Sequence, residues 1–100
     1  MKANFGDLHK AFENRIRLGI MSVLMVNDYA DFNSLKENLE LTDGNLASHL
    51  KALEKIDFIK VKKEFVDRKP NTKYLATAKG RKAFEKHLDA LEQILKNRQK

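Results

Sequence analysis

Residues 32–61 read FNSLKENLELTDGNLASHLKALEKIDFIKV and carry the pattern that decides the fold. Apolar residues recur at helical spacing over about residues 34–40 and again over about residues 43–56, with a break between the two runs. A strand-like alternation begins as the second run ends. The stretch therefore predicts two short helices joined by a tight turn and leading into a β-strand.

Polar residues at the start of each run supply the expected helix caps. Asn33 or Ser34 is placed to cap the first helix and Thr42 the second, because their side-chain oxygens can accept hydrogen bonds from free backbone N–H groups. An apolar stripe on each helix indicates that both pack on one core. The side chains expected to face inward are Leu35, Leu39, Leu46, Leu50 and Leu53.

The opposite face of the second helix carries no bulky apolar side chain. It consists of Gly44, Asn45, Ser48, Lys51, Ala52 and Lys55. Such a face is either an ordinary solvated surface or a surface that enters a DNA groove. In the groove interpretation, Asn45 and Ser48 reach base edges and Ala52 contacts a thymine methyl group, while the two lysines reach phosphates. His49 lies at the boundary of the two faces, where packing and DNA contact are equally compatible with its position.

Positive charge is concentrated in residues 58–82. This segment has nine basic and two acidic residues, a charge of +7, whereas the whole chain carries +6, so the rest of the chain sums to −1. The segment alternates with period two over residues 58–65, has turn composition over residues 66–71 and resumes as a strand over residues 72–77. A basic β-hairpin is therefore predicted directly after the two-helix unit.

A basic hairpin beside two short helices suits a protein that grips the DNA backbone while presenting a helix to the groove. Arg68 and Lys69 at the expected loop tip are predicted to contact phosphates or a narrow minor groove. Asn71, at the end of the turn, and Lys73, on the return strand, are predicted to contact DNA as well. Lysines also guard exposed strand edges against aggregation. That alternative explains the lysines within the strands, but it does not explain the arginine and lysine at the tip.

The first and last helices both suggest association between two copies of the chain. A helix over about residues 14–26 has two nearly opposite apolar faces, and a three-helix domain is expected to cover only one of them, which leaves the other for a further element or a second subunit. Thr77 is expected to cap a last helix over about residues 78–97, whose apolar residues are spaced 4, 3, 4 as in a coiled-coil seam. We predict a homodimer joined mainly by the last helix, with the first helix or the N-terminal residues contributing. The predicted interface consists of Leu18, Met21, Met25, Phe84, Leu88, Leu91 and Leu95.

Composition and motif spacing exclude several classes of function. The chain of 100 residues has no cysteine, which removes disulfides, thiolate catalysis and cysteine metal sites. His9, His49 and His87 lack the spacing of a metal site, and no phosphate-binding loop, nucleophile elbow or catalytic carboxylate pair is present. We expect no catalysis, no metal and no cofactor. Without a signal-peptide pattern or a bilayer-length apolar run, a cytoplasmic protein with no membrane contact is expected.

This order of elements resembles the winged helix–turn–helix family of bacterial and archaeal transcription regulators, in the short stand-alone form of the MarR and ArsR groups. The resemblance covers about residues 8–95. It is carried by residues 32–61, by Asp67-Arg68-Lys69 and by the YLATAKG run of residues 74–80. Two positions depart from the family pattern: Asp57 stands where glycine is common before the first wing strand, and Ala76 stands where leucine is usual.

The predicted fold class is α+β, mainly α: one winged-helix domain over residues 1–100 with a two-stranded basic wing. The helix–turn–helix is expected at about 33–56, the wing at about 58–77 and a dimerisation helix at about 78–97. The predicted function is a homodimeric, sequence-specific transcriptional regulator that binds double-stranded DNA. Its second short helix would lie in the major groove, and residues 66–72 would lie on the backbone or minor groove.

Two alternatives stay open at this point. A winged-helix module can serve protein–protein contacts within a larger complex, although such a module has no need of a +7 hairpin. It can also bind an RNA duplex by shape. A chain of this size leaves no separate effector domain, so any small-molecule effector is expected at the dimer interface.

Overall fold

The computed structural model describes Gly6 and residues 8–98, which form a mainly helical fold with one small sheet. A 3-10 turn at Lys10–Glu13 precedes the first helix. The elements then follow in the order α1 (Arg15–Val26), β1 (Ala30–Asp31), α2 (Phe32–Leu39), α3 (Asp43–Lys55), β2 (Ile59–Val66), β3 (Lys69–Ala76) and α4 (Ala78–Arg98). This is the winged-helix order that the sequence predicts.

α1 is the central helix of the core and is covered on several sides by its own chain. It begins after Asn14, whose side chain accepts hydrogen bonds from two backbone N–H groups of the first turn at 2.8 and 3.2 Å. The helix packs against the 3-10 turn, α2, α3, β3 and α4, and Met21 is completely buried. The prediction of Met21 at a dimer interface is therefore wrong, because elements of the same chain cover it. Leu18 and Met25 are half-buried against the same core. The expected contribution of the N-terminal residues to a dimer falls largely outside the described residues.

α2 begins two residues earlier than the sequence predicts. Its N-cap is Asp31, whose carboxylate accepts a hydrogen bond from the Ser34 N–H at 2.7 Å. The prediction of Asn33 or Ser34 as the cap is wrong, because both lie inside the helix. There the Ser34 hydroxyl accepts a hydrogen bond from the Asn38 side chain at 3.3 Å.

Residues in the left-handed conformation close the turns on either side of α3. Glu40, with φ 52°, ends α2, and Asp57, with φ 64°, follows α3. In each turn the next residue donates its N–H to the carbonyl five positions earlier at 3.0 Å, which is a Schellman-type cap. Asp57 thus makes the tight turn before β2 without a glycine. α3 begins at Asp43, where it is predicted to begin, and Thr42 Oγ1 accepts a hydrogen bond from the Asn45 N–H at 3.2 Å.

The strands form an antiparallel sheet in the order β1–β3–β2, and the β2–β3 hairpin is the wing. Asp67 and Arg68 alone make its turn, both left-handed with φ 51° and 65°. The predicted loop over residues 66–71 is therefore wrong, since β3 begins at Lys69 and includes Pro70. Proline fits at this position because its nitrogen, which has no hydrogen to donate, points away from β2 in the alternating antiparallel ladder. No strand needs that hydrogen bond on the other side either, because β1 pairs with a more distant part of β3.

α4 starts where it is predicted to start and docks on the turn that follows α3. Thr77 Oγ1 accepts a hydrogen bond from the Gly80 N–H at 2.9 Å and donates one to the Asp57 carbonyl at 2.6 Å. Gly80 lies so close to Phe58 that an added Cβ would come within 2.1 Å of the Phe58 carbonyl oxygen. The first turn of α4 is therefore in backbone contact with the segment that joins α3 to the wing.

α4 buries a different face from the predicted seam. Its buried positions include Gly80, Phe84, His87 and Ala90. Three leucines beside that face, here named the α4 strip, are Leu88, Leu91 and Leu95, which are 44%, 38% and 55% exposed. Because Phe84 is 3% exposed within the protomer, its assignment to a dimer interface is wrong. The α4 strip keeps an apolar surface that the rest of the described protomer does not bury.

One hydrophobic core holds these elements together and includes residues of all four helices and of β1 and β2. The inward leucines of α3, here named the α3 stripe, are Leu46, Leu50 and Leu53, each at most 2% exposed. Among the described residues, no helix combines the length and the hydropathy needed to cross a bilayer.

Candidate nucleic-acid interface

The side of α3 that points away from the core is polar and open. Its residues, here named the α3 surface, are the exposed Gly44, Asn45, Ser48, Lys51 and Lys55 and the half-buried Ala52. The α3 stripe anchors the helix from the opposite side, so these side chains are not needed for the core. An added Cβ at Gly44 would meet no atom within 4 Å, so packing within the protomer does not demand a glycine there. The α3 surface brings together six of the predicted DNA contacts.

α2 holds the N-terminal end of the α3 surface. Lys36 Nζ lies 2.8 Å from Asp43 Oδ1, and this hydrogen bond, with the attraction of the two charges, raises the pKa of Lys36. The pair is largely exposed, so it contributes modestly to stability. It joins the first turn of α3 to α2.

A groove of about 660 Å³ separates α3 from the wing. It is lined by Ala47, Ser48, Leu50, Lys51 and Glu54 of α3 and by Val61, Lys63 and Tyr74 of the sheet. Burial, and to a smaller extent the Glu54 carboxylate, raises the pKa of Tyr74, so its hydroxyl stays protonated at neutral pH. The groove thus joins the α3 surface to the wing and presents two lysines and one carboxylate.

His49 is tied to α1 by an arginine. Its Nδ1 accepts a hydrogen bond from Arg17 Nε at 3.1 Å. Burial, followed by the charge of Arg17, lowers the pKa of His49, which keeps the ring neutral and able to accept this bond. The contact favours the packing interpretation of His49 and leaves only Nε2 for a contact outside the protomer.

The wing has two faces of different composition, because side chains alternate along a strand. The face on the groove side carries Val61, Lys63, Phe65, Pro70, Thr72 and Tyr74. The outer face carries Lys60, Lys62, Glu64, Val66, Lys69, Asn71, Lys73 and Leu75. The predicted contacts Lys69, Asn71 and Lys73 therefore have the parity of the hairpin side that faces away from the groove.

Lys73 is engaged within the sheet. Its Nζ lies 2.6 Å from Glu64 Oε1 and 4.2 Å from the centroid of the Tyr29 ring. The hydrogen bond raises the pKa of Lys73 and lowers that of Glu64. Because Glu64 offsets its charge, Lys73 is less available to a phosphate than an unpaired lysine would be. Arg68 and Lys69, in contrast, are exposed at the turn.

The remaining cations of residues 58–82 do not all point toward one surface. Arg81 donates hydrogen bonds to the Leu24 and Met25 carbonyls at 3.3 and 3.4 Å. These carbonyls lie at the C-terminal end of α1, where the helix dipole favours a positive charge. Lys79 and Lys82 border a separate cavity of about 390 Å³ that shares no lining residue with the groove. The charge of +7 is thus a property of the segment and not of a single patch.

Two contributors to this region are absent from the sequence-based prediction. Lys63 lines the groove. The sequence signal for this position was its even spacing from Ile59 and Val61, because alternate residues of a strand lie on the same side and this side packs toward α3. Arg17 positions His49, and its signal was an arginine within the apolar pattern of α1. Within the part of the chain that the structure describes, no group of three or more His, Cys, Asp or Glu residues is arranged to hold a metal ion.

Comparisons with known proteins agree with this architecture. Residues 16–95 match the winged helix DNA-binding domain family. The chain is 41% identical to the Methanocaldococcus jannaschii protein MJ0432 over 88 residues, which are 88% of this chain and 96% of that protein. The structure of a transcriptional regulator homologue from Pyrococcus horikoshii OT3 superposes with a TM-score of 0.81 at 33% identity, covering 87% of this chain and 86% of that one.

A third similarity concerns the fold alone. Overoxidised AbfR, solved bound to DNA, superposes with a TM-score of 0.65 at 22% identity, and the match covers 93% of this chain and 79% of that one. The family match, in contrast, spans most of the chain from α1 to α4. The chain therefore belongs to the family of winged helix DNA-binding domains.

Proposed function

We propose that this chain is a homodimeric, sequence-specific regulator of transcription that reads duplex DNA with α3 and holds the backbone or minor groove with the wing. The observation that carries the proposal is the α3 surface: a row of small polar side chains on a helix anchored only from its other side. A major groove about 12 Å wide admits such a helix. Family membership supports duplex DNA as the partner and a role without catalysis.

α3 is proposed to supply the base contacts. Asn45 and Ser48 lie in the N-terminal half of the helix, the part that reaches base edges in helix–turn–helix proteins. An asparagine can bond the N6 and N7 atoms of adenine in bidentate fashion, and Ala52 can contact a thymine methyl group. The absent side chain at Gly44 leaves room for close approach of the sugar–phosphate backbone.

The wing is proposed to supply contacts independent of sequence. Arg68 and Lys69 are exposed at a two-residue turn whose left-handed backbone is already fixed in the protomer. A guanidinium suits a phosphate or a narrow minor groove, and Lys63 and Lys51 add charge along the groove between wing and helix.

The α4 strip is proposed as the dimer interface. Leu88, Leu91 and Leu95 follow each other at spacings of 3 and 4 and stay exposed in the protomer, which is the pattern of a two-helix seam. Leu18 and Met25 of α1 are half-buried and are proposed as minor contributors. Two copies of α3 would then read half-sites about 34 Å apart.

Selection from randomised duplexes tests the role of α3. Asn45→Ala and Ser48→Ala are expected to relax the preference at one position in each half-site, because a bonded base edge contributes roughly 1–3 kcal/mol of discrimination. Asn38→Ala on α2 is the matched control and should select the wild-type sequence. Identical selected sequences for all four proteins would exclude direct reading by Asn45 and Ser48. Stronger binding to a matched RNA duplex than to DNA would overturn the choice of DNA.

The salt dependence of binding tests the role of the wing. Lys69→Ala should weaken binding to all duplexes alike and reduce the slope of log K against log salt by about one, the value for one lost phosphate contact. Lys82→Ala removes the same charge beside the separate cavity and should leave the slope unchanged. An unchanged slope for Lys69→Ala would remove Lys69 from the interface.

A further inference from the structure

The tip of the wing carries apolar side chains in an otherwise charged hairpin. Phe65 is 77% exposed and Val66 is 48% exposed, directly before the Asp67-Arg68 turn. Pro70, which pairs with Phe65 across the hairpin, is also exposed. Core packing therefore does not account for any of these three side chains.

Phe65 and Pro70 form a single projection. In a hairpin with a two-residue turn, the residues that flank the turn, here Val66 and Lys69, form a hydrogen-bonded pair. The next pair, Phe65 and Pro70, is therefore a non-hydrogen-bonded pair, and in such pairs the two side chains lie closest together. Both point to the same side of the hairpin as Val61 and Lys63, which line the groove beside α3. The phenyl ring and the pyrrolidine ring are thus neighbours on the side of the wing that adjoins α3.

The dimensions of the hairpin match those of a duplex. Four residues at a rise of about 3.4 Å place Phe65 roughly 14 Å along the strand from Val61. One turn of DNA measures about 34 Å, so the minor groove next to an occupied major groove lies roughly 17 Å away. With α3 in the major groove, the tip of the wing arrives at the adjacent minor groove.

Charge around the tip favours DNA over an apolar partner. A single exposed apolar residue is ordinary, but three at the end of a hairpin are an aggregation hazard that proteins usually avoid. Here they are bordered by Arg68, Lys69 and Lys63, which complement a phosphate backbone. Proteins that bend DNA through the minor groove combine apolar wedges with cations in this way.

We propose that Phe65, backed by Pro70, is a wedge that enters the minor groove beside each half-site and partly unstacks one base step while Arg68 holds a flanking phosphate. The proposal rests on the proposed function and adds a specificity determinant to it. Pyrimidine–purine steps unstack most easily, so the wing selects a flexible step without bonding to any base edge.

The experiment uses the full chain and the duplex that it selects. A 2-aminopurine base is placed in turn at each step flanking the half-sites, and its fluorescence reports unstacking. Wild-type protein should raise the fluorescence at one step in each half-site. Phe65→Ala should abolish this rise and bind about 10-fold more weakly, while its salt slope stays at the wild-type value because no phosphate contact is lost. Phe65→Leu, which keeps an apolar wedge, should retain most of both effects.

Val26→Ala is the matched control, since Val26 is 82% exposed at the end of α1, and it should behave as wild type. Wild-type affinity and fluorescence in Phe65→Ala would overturn the wedge and leave the proposed function intact. Wild-type protein that selects no duplex would overturn both. Binding of wild type to phosphatidylserine vesicles that is lost in Phe65→Ala, with operator binding unchanged, would assign the tip to a membrane surface and overturn the wedge.

Discussion

Two rows of leucines have nearly the same spacing in this molecule, but one row is buried and the other is exposed. In the α3 stripe, Leu46, Leu50 and Leu53 are spaced 4 and 3 and are at most 2% exposed. In the α4 strip, Leu88, Leu91 and Leu95 are spaced 3 and 4 and are 38–55% exposed. Periodicity locates an apolar face on a helix in both cases. It does not say whether the same chain or another one covers that face.

The difference arises from what each helix packs against. α3 lies between α1, α2 and β2, which close over its stripe. α4 contacts α1 and β3 mainly through its first turns, where Gly80 allows close approach to Phe58, and then extends beyond the core. The molecule is accordingly elongated, with extents of 58 × 25 × 21 Å. Substitutions confined to one row therefore test the difference between the two helices.

Leu91→Lys should have the largest effect, and only on association. Each copy would bring an unpaired ammonium into the proposed seam, which should weaken the dimer by about 4 kcal/mol, or roughly 1000-fold in Kd. Sedimentation should show a fall from about 23 kDa, twice the 11.6 kDa of one chain, to the monomer mass. Gln93→Lys adds the same charge on the opposite side of α4 and should remain dimeric. A wild-type chain that is monomeric while binding its operator would remove the dimer from the proposal.

Leu50→Ala should act on folding instead. Removing three carbon atoms from a fully buried site costs about 3 kcal/mol of unfolding free energy, because the lost transfer energy and the new cavity add. The matched truncation Leu88→Ala should cost less than about 1 kcal/mol when unfolding is measured on the monomeric Leu91→Lys background. Equal losses from urea titrations of the two variants would contradict the contrast between the rows.

Gly80→Ala tests whether the close contact between Gly80 and Phe58 holds α4 in place. A Cβ within 2.1 Å of the Phe58 carbonyl oxygen must displace backbone, so we expect a loss of about 2 kcal/mol. Gly44→Ala is the control, since its Cβ meets open space and alanine favours a helix; it should be neutral or stabilising by about 0.5 kcal/mol. A Gly80→Ala protein as stable as wild type would mean that α4 can shift away from Phe58 at little cost.

The smallest effect is expected from acid, at His87 on the buried side of α4. Its Nδ1 accepts the His9 N–H at 3.0 Å, and burial, then the neighbouring His9, lowers its pKa. The neutral ring is therefore favoured by folding, and its contribution is complete above the unfolded pKa of about 6.5 and is lost as pH falls through that value toward the folded pKa. Melting temperature should fall between about pH 7.5 and pH 5, and less steeply in His87→Gln. Parallel curves for the two proteins would show that other groups cause the fall.

Much of the fold follows from local signals that carry their own physical cause. Thr42 and Thr77 cap α3 and α4 because hydroxyls there satisfy free N–H groups, and the α3 stripe is buried as its spacing predicts. The buried side of α4 was missed because its members include Gly80, His87 and Ala90, which an apolar pattern does not single out. Asp67-Arg68 was missed as a complete turn because arginine is not a usual choice for the second of two consecutive left-handed positions.

The candidate site also has one part that the sequence predicts and another that it does not. The α3 surface was predictable because exposure on a helix follows from the position of the core stripe. The orientation of the β3 residues was not, since it depends on register: moving the turn from residues 66–71 to Asp67-Arg68 decides which β3 side chains lie on the same face as Val61 and Phe65. The engagement of His49 with Arg17 and of Lys73 with Glu64 needs tertiary structure, because each pair joins different elements or strands.

The two-residue turn of the wing also constrains how its length can change. The turn sets the register of every strand pair from Val66–Lys69 to Ile59–Ala76. Inserting one residue into β2 therefore moves the β2 side chains beyond the insertion from the inner to the outer face of the hairpin, and the reverse. Glu64 or Val66 would then take the place of Phe65, and the lysines of the outer face would turn toward the duplex. Only insertions or deletions in matched, even steps keep the chemistry of each face. Wings of related regulators should therefore differ in length by pairs of residues per strand, or carry a β-bulge where they do not.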